Sequence, residues 1–343
     1  MSRLERSLIE SYYVFCNIKM GSPDMDALVM ELEDRYGPAP ELSKAKLLQA
    51  HHYFNAGQYP IVVDILQGVN PEYLSSDERK DYLFELSFSQ LRVGRNKEAE
   101  RGFEQLLKMK KNKYELPATY YSGYIAFMNG EFHKALSFFE KNSSDDFYAP
   151  LCQLYTLESY LMLKDYDYVV QNGEAVLNVV ESEMKSKVAR IVSQAYFAME
   201  KPQEAKKWFE KYSSSGKELT RKDNYYFGVI SYSLDSYYAA IDAFMKVVSS
   251  EDTLTQSSYF HIANSYLNLK NKNKAMENYK VASEMRCDET ITEESFFNFA
   301  KLSFDLNADI APFQNYLERY PDSRKRHHRY WPSARAIRAS MAW

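Results

Sequence analysis

The residues best equipped for chemistry are six histidines, three cysteines and a few acid pairs, and their spacing assembles none of them into a reactive group. His51-His52 and His327-His328 are adjacent pairs. Neighbours on a helix point about 100° apart, so neither pair is a natural chelate. Cys16, Cys152 and Cys287 are far apart and include no CxxC, the pattern of neither a disulfide framework nor a zinc site. Asp145-Asp146 lies in a polar turn, where both carboxylates are solvated. There is no GxGxxG, no GxxxxGKS/T and no HExxH, so neither a phosphate cradle nor a zinc protease helix is indicated. Nothing brings serine, histidine and aspartate together. The expectation is a non-enzymatic chain with no catalytic residue, no cofactor and no metal.

What the chain has in quantity is aromatic rings: 29 tyrosines and 20 phenylalanines. Glycine and proline are scarce at 11 each, which suits helices, and large rings fill seams between short ones. A net charge of −4 argues against nucleic acid as the default partner. No apolar run reaches 18 residues, so no transmembrane helix is expected. Tyr12–Met20 is apolar behind Arg3 and Arg6, loosely like a signal peptide. Glu5, Glu10 and Asn17 interrupt it, and no clear cleavage site follows.

The rings fall on a beat. Val62, Ala99, Ala135, Val169, Ala205, Ala240 and Ala275 are spaced by 37, 36, 34, 36, 35 and 35 residues. Four residues after each comes Leu66, Phe103, Phe139, Gly173, Phe209, Phe244 or Tyr279. Twelve before each comes Ala50, Ser87, Gly123, Leu157, Ser193, Gly228 or Ala263. A small residue opposite a large one is what two closely crossing helices need. A period in this range marks stacked supersecondary units. The fourth unit departs most, with Leu157 and Gly173 exchanging sizes, and a less regular packing is expected there. Short polar stretches such as NAGQYP (55–60) and EKPQE (200–204) leave two to four residues for the turn of an antiparallel helix pair. Asp77, Thr220 and Thr253 are the expected N-caps of first helices, and Pro202 fits a first helical turn. An eighth unit runs from Glu289 to Tyr320, ended by Pro321.

The ends differ. Residues 1–40 read as two helices, Leu4–Met20 and Asp24–Tyr36, closed by GPAP and capping the first repeat. Residues 41–323 are the repeat array. Residues 324–343 hold six cations, no acid, and both Trp331 and Trp343. This basic tail reads either as an arm for RNA or an anionic surface, or as a disordered or non-native continuation, and the break in composition and beat favours the latter.

Small residue, aromatic, alanine and phenylalanine at this spacing resemble the tetratricopeptide repeat (TPR), a helix–turn–helix unit, over about residues 41–320. The tryptophan that opens the family's motif and most of its closing prolines are missing. Residues 252–285 and YLERYPDS (316–323) look like the large multi-TPR proteins of Bacteroidetes, which are associated with the cell envelope; without their leader, a cytoplasmic location is the alternative. The resemblance implies an all-α, right-handed superhelical solenoid of seven to eight hairpins that binds a protein or peptide on the concave side, lined by first helices. Carried onto this chain, the groove positions are Leu47/His51, Phe84/Phe88, Tyr120/Tyr124, Leu154/Glu158, Arg190/Gln194, Tyr225/Val229 and Phe260/Asn264. They lack the family's lysine–asparagine carboxylate clamp. Phe84, Phe88, Tyr120, Tyr124, Tyr225 and Phe260 are the candidate partner-binding residues, because aromatic anchors concentrate binding energy. The competing reading is that these rings pack helix against helix. A second role is a structural spacer within a longer envelope protein.

Overall fold

The computed structural model describes residues 3–143, 145–214 and 218–323, with Arg3 and Leu4 as backbone only. The described residues form eighteen α-helices and a short 3-10 turn at Pro71–Tyr73. The helices pair in chain order. α1 (Arg3–Lys19) and α2 (Met25–Tyr36) come first. Then follow α3/α4 (Pro40–Asn55, Tyr59–Gln67), α5/α6 (Ser76–Arg92, Asn96–Leu107), α7/α8 (Glu115–Met128, Phe132–Lys141) and α9/α10 (Tyr148–Met162, Tyr166–Val179). The rest are α11/α12 (Ser182–Ala198, Pro202–Ser213), α13/α14 (Arg221–Ser233, Tyr237–Met245), α15/α16 (Thr253–Asn268, Lys272–Met285) and α17/α18 (Glu289–Asn307, Ala311–Arg319).

The beat is a packing code. All seven anchors, Val62 to Ala275, are 0% exposed. Phe103, Phe139, Phe209, Phe244 and Tyr279, one turn later, are buried with them. Burial of each such ring contributes roughly 1.5–3 kcal/mol. The small residue of the first helix receives the ring: a Cβ on Gly123 would lie 2.6 Å from Phe139 Cε1, and one on Gly228 would lie 2.6 Å from Phe244 Cε1. In the fourth hairpin the sizes are exchanged, as the residues indicate. Leu157 is fully buried on α9, and Gly173 on α10 lets α11 approach so closely that a Cβ would meet Val192 Cγ2 at 2.4 Å.

The turns of the seven anchored hairpins are closed the same way. Five residues before the anchor stands a residue with φ between 56° and 84°: Gly57, Gly94, Gly130, Lys164, Glu200, Asp235 or Lys270. The next amide reaches back five residues, as in Gln58 N to Tyr53 O at 2.9 Å, Arg95 N to Gln90 O at 2.8 Å and Asn271 N to Tyr266 O at 2.9 Å. This is the Schellman closure, which satisfies the carbonyls a helix end leaves open.

Helix starts correct two expectations. Ser75, not Asp77, caps α5: its hydroxyl accepts from Glu78 N at 3.3 Å, and Glu78 accepts from Ser75 N at 2.8 Å. Asp252, not Thr253, caps α15 by accepting from Thr255 N at 2.9 Å. In both cases the residue just outside the helix has the extended backbone that a cap requires. Thr220 caps α13 as expected, and Pro202 opens α12.

The chain divides within α10. One compact unit comprises α1–α9 and the chain up to Tyr168 with Glu174–Glu181, and the other Val169–Gly173 with α11–α18. In the first unit α1 and α2 pack on α3 through Val14, Ile18, Met25, Val29, Leu32, Leu42 and Ala45. Glu10 ties this hairpin together, accepting from Arg35 Nη1 at 2.7 Å and from the Tyr36 hydroxyl at 2.9 Å. The basic stretch 324–343 lies outside the described residues.

Candidate functional site

The first helices α5, α7 and α9 belong to successive hairpins, and their side chains line a cleft of about 480 Å³. The local cause is helical spacing. Tyr121, Tyr124 and Met128 on α7, and Tyr148, Leu151 and Tyr155 on α9, each stand at i, i+3 and i+7, which share one helix face. Phe88, Leu91 and Arg92 supply the α5 wall. Two large apolar side chains on the cleft are mostly exposed: Met128 at 56% and Phe147 at 70%. Phe147 is held at the rim by the turn before α9, where Asp145 Oδ1 accepts from Phe147 N at 3.0 Å and Tyr148 N at 2.7 Å.

The rings interlock. Tyr120 lies 5.3 Å from Tyr148 and 5.1 Å from Tyr121, Tyr124 lies 5.4 Å from Tyr155, and Phe88 lies 5.1 Å from Tyr121. Burial pushes the phenols of Tyr148 and Tyr155 up to about 12. It raises those of Tyr120 and Tyr121 too, the nearby Arg92 guanidinium working against the rise at Tyr121. At neutral pH these hydroxyls are therefore hydrogen-bond donors, not anions.

The six candidate residues divide. Phe88, Tyr120 and Tyr124 line the cleft. Tyr120 is only 8% exposed, so it is cleft floor and core at once. Phe84 packs on the same core cluster as Phe88 but does not line the cleft; it stacks face to face on Tyr114 at 4.2 Å and 5°. In the second unit, Tyr225 packs on Phe244 at 5.5 Å and Phe260 on Tyr279 at 5.9 Å, each beside its own hairpin's core. The remaining groove positions also split: Leu47 and Leu154 are buried, whereas His51 is exposed. His51 Nδ1 lies 2.5 Å from Oε1 of Glu85, a buried carboxylate raised above its usual range by desolvation.

Sequence offsets missed Leu91, Arg92, Asn96, Tyr121, Met128, Phe147, Tyr148, Leu151 and Tyr155. The i, i+3, i+7 rows of α7 and α9 carried a signal for most of them. Phe147 had none, because it sits in a turn. Among the described residues, no group of three histidines, cysteines or acids could hold a metal ion. No described helix is long and apolar enough to cross a membrane.

No curated protein matches the chain. A tetratricopeptide repeat protein from Parabacteroides merdae ATCC 43184 is 14% identical, over 86% of this chain and 98% of its own, with a TM-score of 0.43. A Rap protein complexed with competence and sporulation factor is 12% identical over 92% of this chain and 96% of its own, with a TM-score of 0.45. MamA AMB-1 is 15% identical over 52% of this chain and 94% of its own, with a TM-score of 0.43. Residues 256–286, which span most of α15, the turn after it and all of α16, match the family model described as tetratricopeptide repeat. That hairpin shares its buried anchor, its left-handed turn residue and its closing hydrogen bond with six others along the chain.

Proposed function

We propose that this chain is a non-enzymatic scaffold that takes a segment of a partner polypeptide in the cleft across α5, α7 and α9. The observation that carries the reading is the exposure of Phe147 and Met128 at an aromatic cleft. Exposed large apolar side chains gathered in one concavity are costly in water and mark interaction sites. Well-packed aromatics beneath them supply a rigid floor, so a guest gains burial without ordering the host. Phe88, Tyr120 and Tyr124 act as that floor. Phe84, Tyr225 and Phe260 have packing roles and stand outside the proposed site.

The test is photo-crosslinking in the full chain. p-Benzoylphenylalanine replaces Phe147 in one preparation and Tyr238, 73% exposed on α14, in another. Each is irradiated in a lysate of the source organism. A discrete polypeptide adduct at position 147 and not at 238 is expected, and it should disappear in a Met128→Glu background. Identical adducts at the two positions, or none at 147, would refute the cleft reading.

A further inference from the structure

We propose that the chain forms a two-fold dimer through α1, by antiparallel pairing of that helix with its copy about an axis at Tyr12. The side of α1 that packs on α2 and α3 carries Val14 and Ile18. Ile9, Tyr12, Tyr13, Cys16 and Met20 stand at i, i+3, i+4, i+7 and i+11, one row on the opposite side. Met20 continues the helical ladder, its amide donating to Cys16 O at 3.0 Å. Ile9, Tyr12, Tyr13 and Met20 are 59–74% exposed. A helix that is apolar on both sides belongs in an interior, and one side of α1 is uncovered. The array shows what such a row packs against. Thirty-six residues on, Ala45 and Gln49 of α3 correspond to Ile9 and Tyr13. Ala45 packs among residues of α1 and α2, and Gln49 Nε2 donates to Oδ1 of Asp26 on α2 at 2.7 Å. The matching Ala118 and Ser122 of α7, and Ser258 and Ile262 of α15, are buried too. This row is where a first helix receives another helix pair.

The occupant is a second copy because the row is self-complementary. In an isologous pair, residues equally far on either side of the axis meet, and each flank of the helix meets the same flank of the copy. Glu5 and Lys19 stand seven residues before and after Tyr12 on one flank, and both are exposed. Antiparallel pairing therefore sets each Glu5 beside Lys19 of the second copy, whereas parallel pairing would set like charges together. Arg6, on the other flank, is engaged by Glu10 of its own helix at 3.2 Å and stands across from the copy's Asn17. Tyr12 meets Tyr12 on the axis. The area is sufficient for a reversible contact. A tyrosine buries roughly 150–250 Å², so with the exposed parts of Ile9 and Met20 each copy contributes about 500 Å². A total near 1,000 Å² is about the threshold of a specific interface and well below that of an obligate dimer.

Sedimentation equilibrium of the full chain, from low micromolar to submillimolar concentration, should show a reversible monomer–dimer equilibrium and nothing larger. Tyr12→Glu/Tyr13→Glu should stay monomeric with an unchanged circular dichroism spectrum, because both side chains are exposed. Lys19→Glu should weaken the dimer about tenfold, and Glu5→Lys/Lys19→Glu should recover it. Oxidation reads the register in a Cys287→Ser background. Tyr12→Cys, combined with Cys16→Ser, lies on the axis and should crosslink to its copy. Cys16 lies four residues off the axis, so the two copies of it stand eight positions apart. That is about 12 Å along the helices, too far for a disulfide. A monomer at every concentration overturns the proposal and leaves the row to a different polypeptide. Assembly beyond the dimer also overturns it, since that is head-to-tail stacking. So does a dimer that is indifferent to Tyr12→Glu/Tyr13→Glu, that the charge exchange fails to recover, or that crosslinks through Cys16 and not through Tyr12→Cys.

Discussion

Gly228→Ala adds one carbon in the middle of α13, and the structure leaves it no room. That Cβ would lie 2.6 Å from Cε1 of Phe244 and 2.8 Å from both Cδ1 and Cζ. The ring cannot swing aside. Phe244 is fully buried, stacked on the His261 imidazole at 5.2 Å and met by the Tyr225 ring at 5.5 Å. Overpacking of this kind costs about 1–3 kcal/mol. Replacing a helical glycine by alanine returns roughly 1 kcal/mol of helix propensity, so the expected net loss is up to about 2 kcal/mol. Hydrogen exchange resolves this by element. Amides of α13–α16 should exchange faster, by up to about thirtyfold, while those of α3–α8 stay unchanged, because repeats couple chiefly to their neighbours. Shrinking the ring should restore the fit. The loss in Gly228→Ala/Phe244→Leu is expected to fall short of the sum of the single losses by about 1 kcal/mol. Strict additivity, or slower exchange in Gly228→Ala alone, would show that propensity governs this position and that the close crossing does not.

Two further outcomes follow from the turns and from His261. Lys164, Glu200 and Lys270 are exposed residues with φ of 64°, 58° and 59°. Left-handed backbone costs a side-chain-bearing residue roughly 1–2 kcal/mol. Replacing each by glycine should therefore stabilise its hairpin, by up to about 1 kcal/mol after the greater chain entropy of glycine. Asp235→Gly should gain less, since the Asp235 carboxylate accepts from the Tyr237 hydroxyl at 2.5 Å. Thermal melts of the four variants check the ranking, and a uniform destabilisation would contradict it. His261 is ringed by Tyr225, Tyr232, Phe244 and Phe260, and burial lowers its pKa. The unfolded chain then takes up a proton near pH 6.5 that the folded chain refuses, so stability falls as pH drops through 6.5 towards the lower folded value. Denaturant midpoints measured from pH 7.5 to 5 should decline less in His261→Phe, and parallel declines would refute the assignment.

The six candidate residues show where reading the chain reached and where it stopped. An offset of eleven or fifteen residues from an anchor selects the first helix and roughly the right face. It cannot separate Phe84, which stacks on Tyr114 at 4.2 Å, from Phe88, which lines the cleft one turn later. Both are phenylalanine on the same helical row. Both pack on the same core cluster, and which one also reaches the cleft depends on where α7 and its preceding turn come to rest. Phe147 was invisible for a related reason: its exposure follows from an aspartate-anchored turn that belongs to no repeat position.

By itself the sequence determined that the chain is all-helical, that the helices pair, and where each pair crosses. A glycine or alanine facing a ring at constant separation has one low-energy solution, the close-packed hairpin, and it recurs with the spacing. Tertiary structure alone decided which aromatic rings are shared between neighbouring hairpins and which are left to solvent. That outcome depends on how far each first helix stands from the next, and so does the gathering of Arg92, Met128, Phe147 and Tyr155 around one cleft. Local spacing specifies a helix's faces, but the distance between helices is a sum over every side chain packed between them.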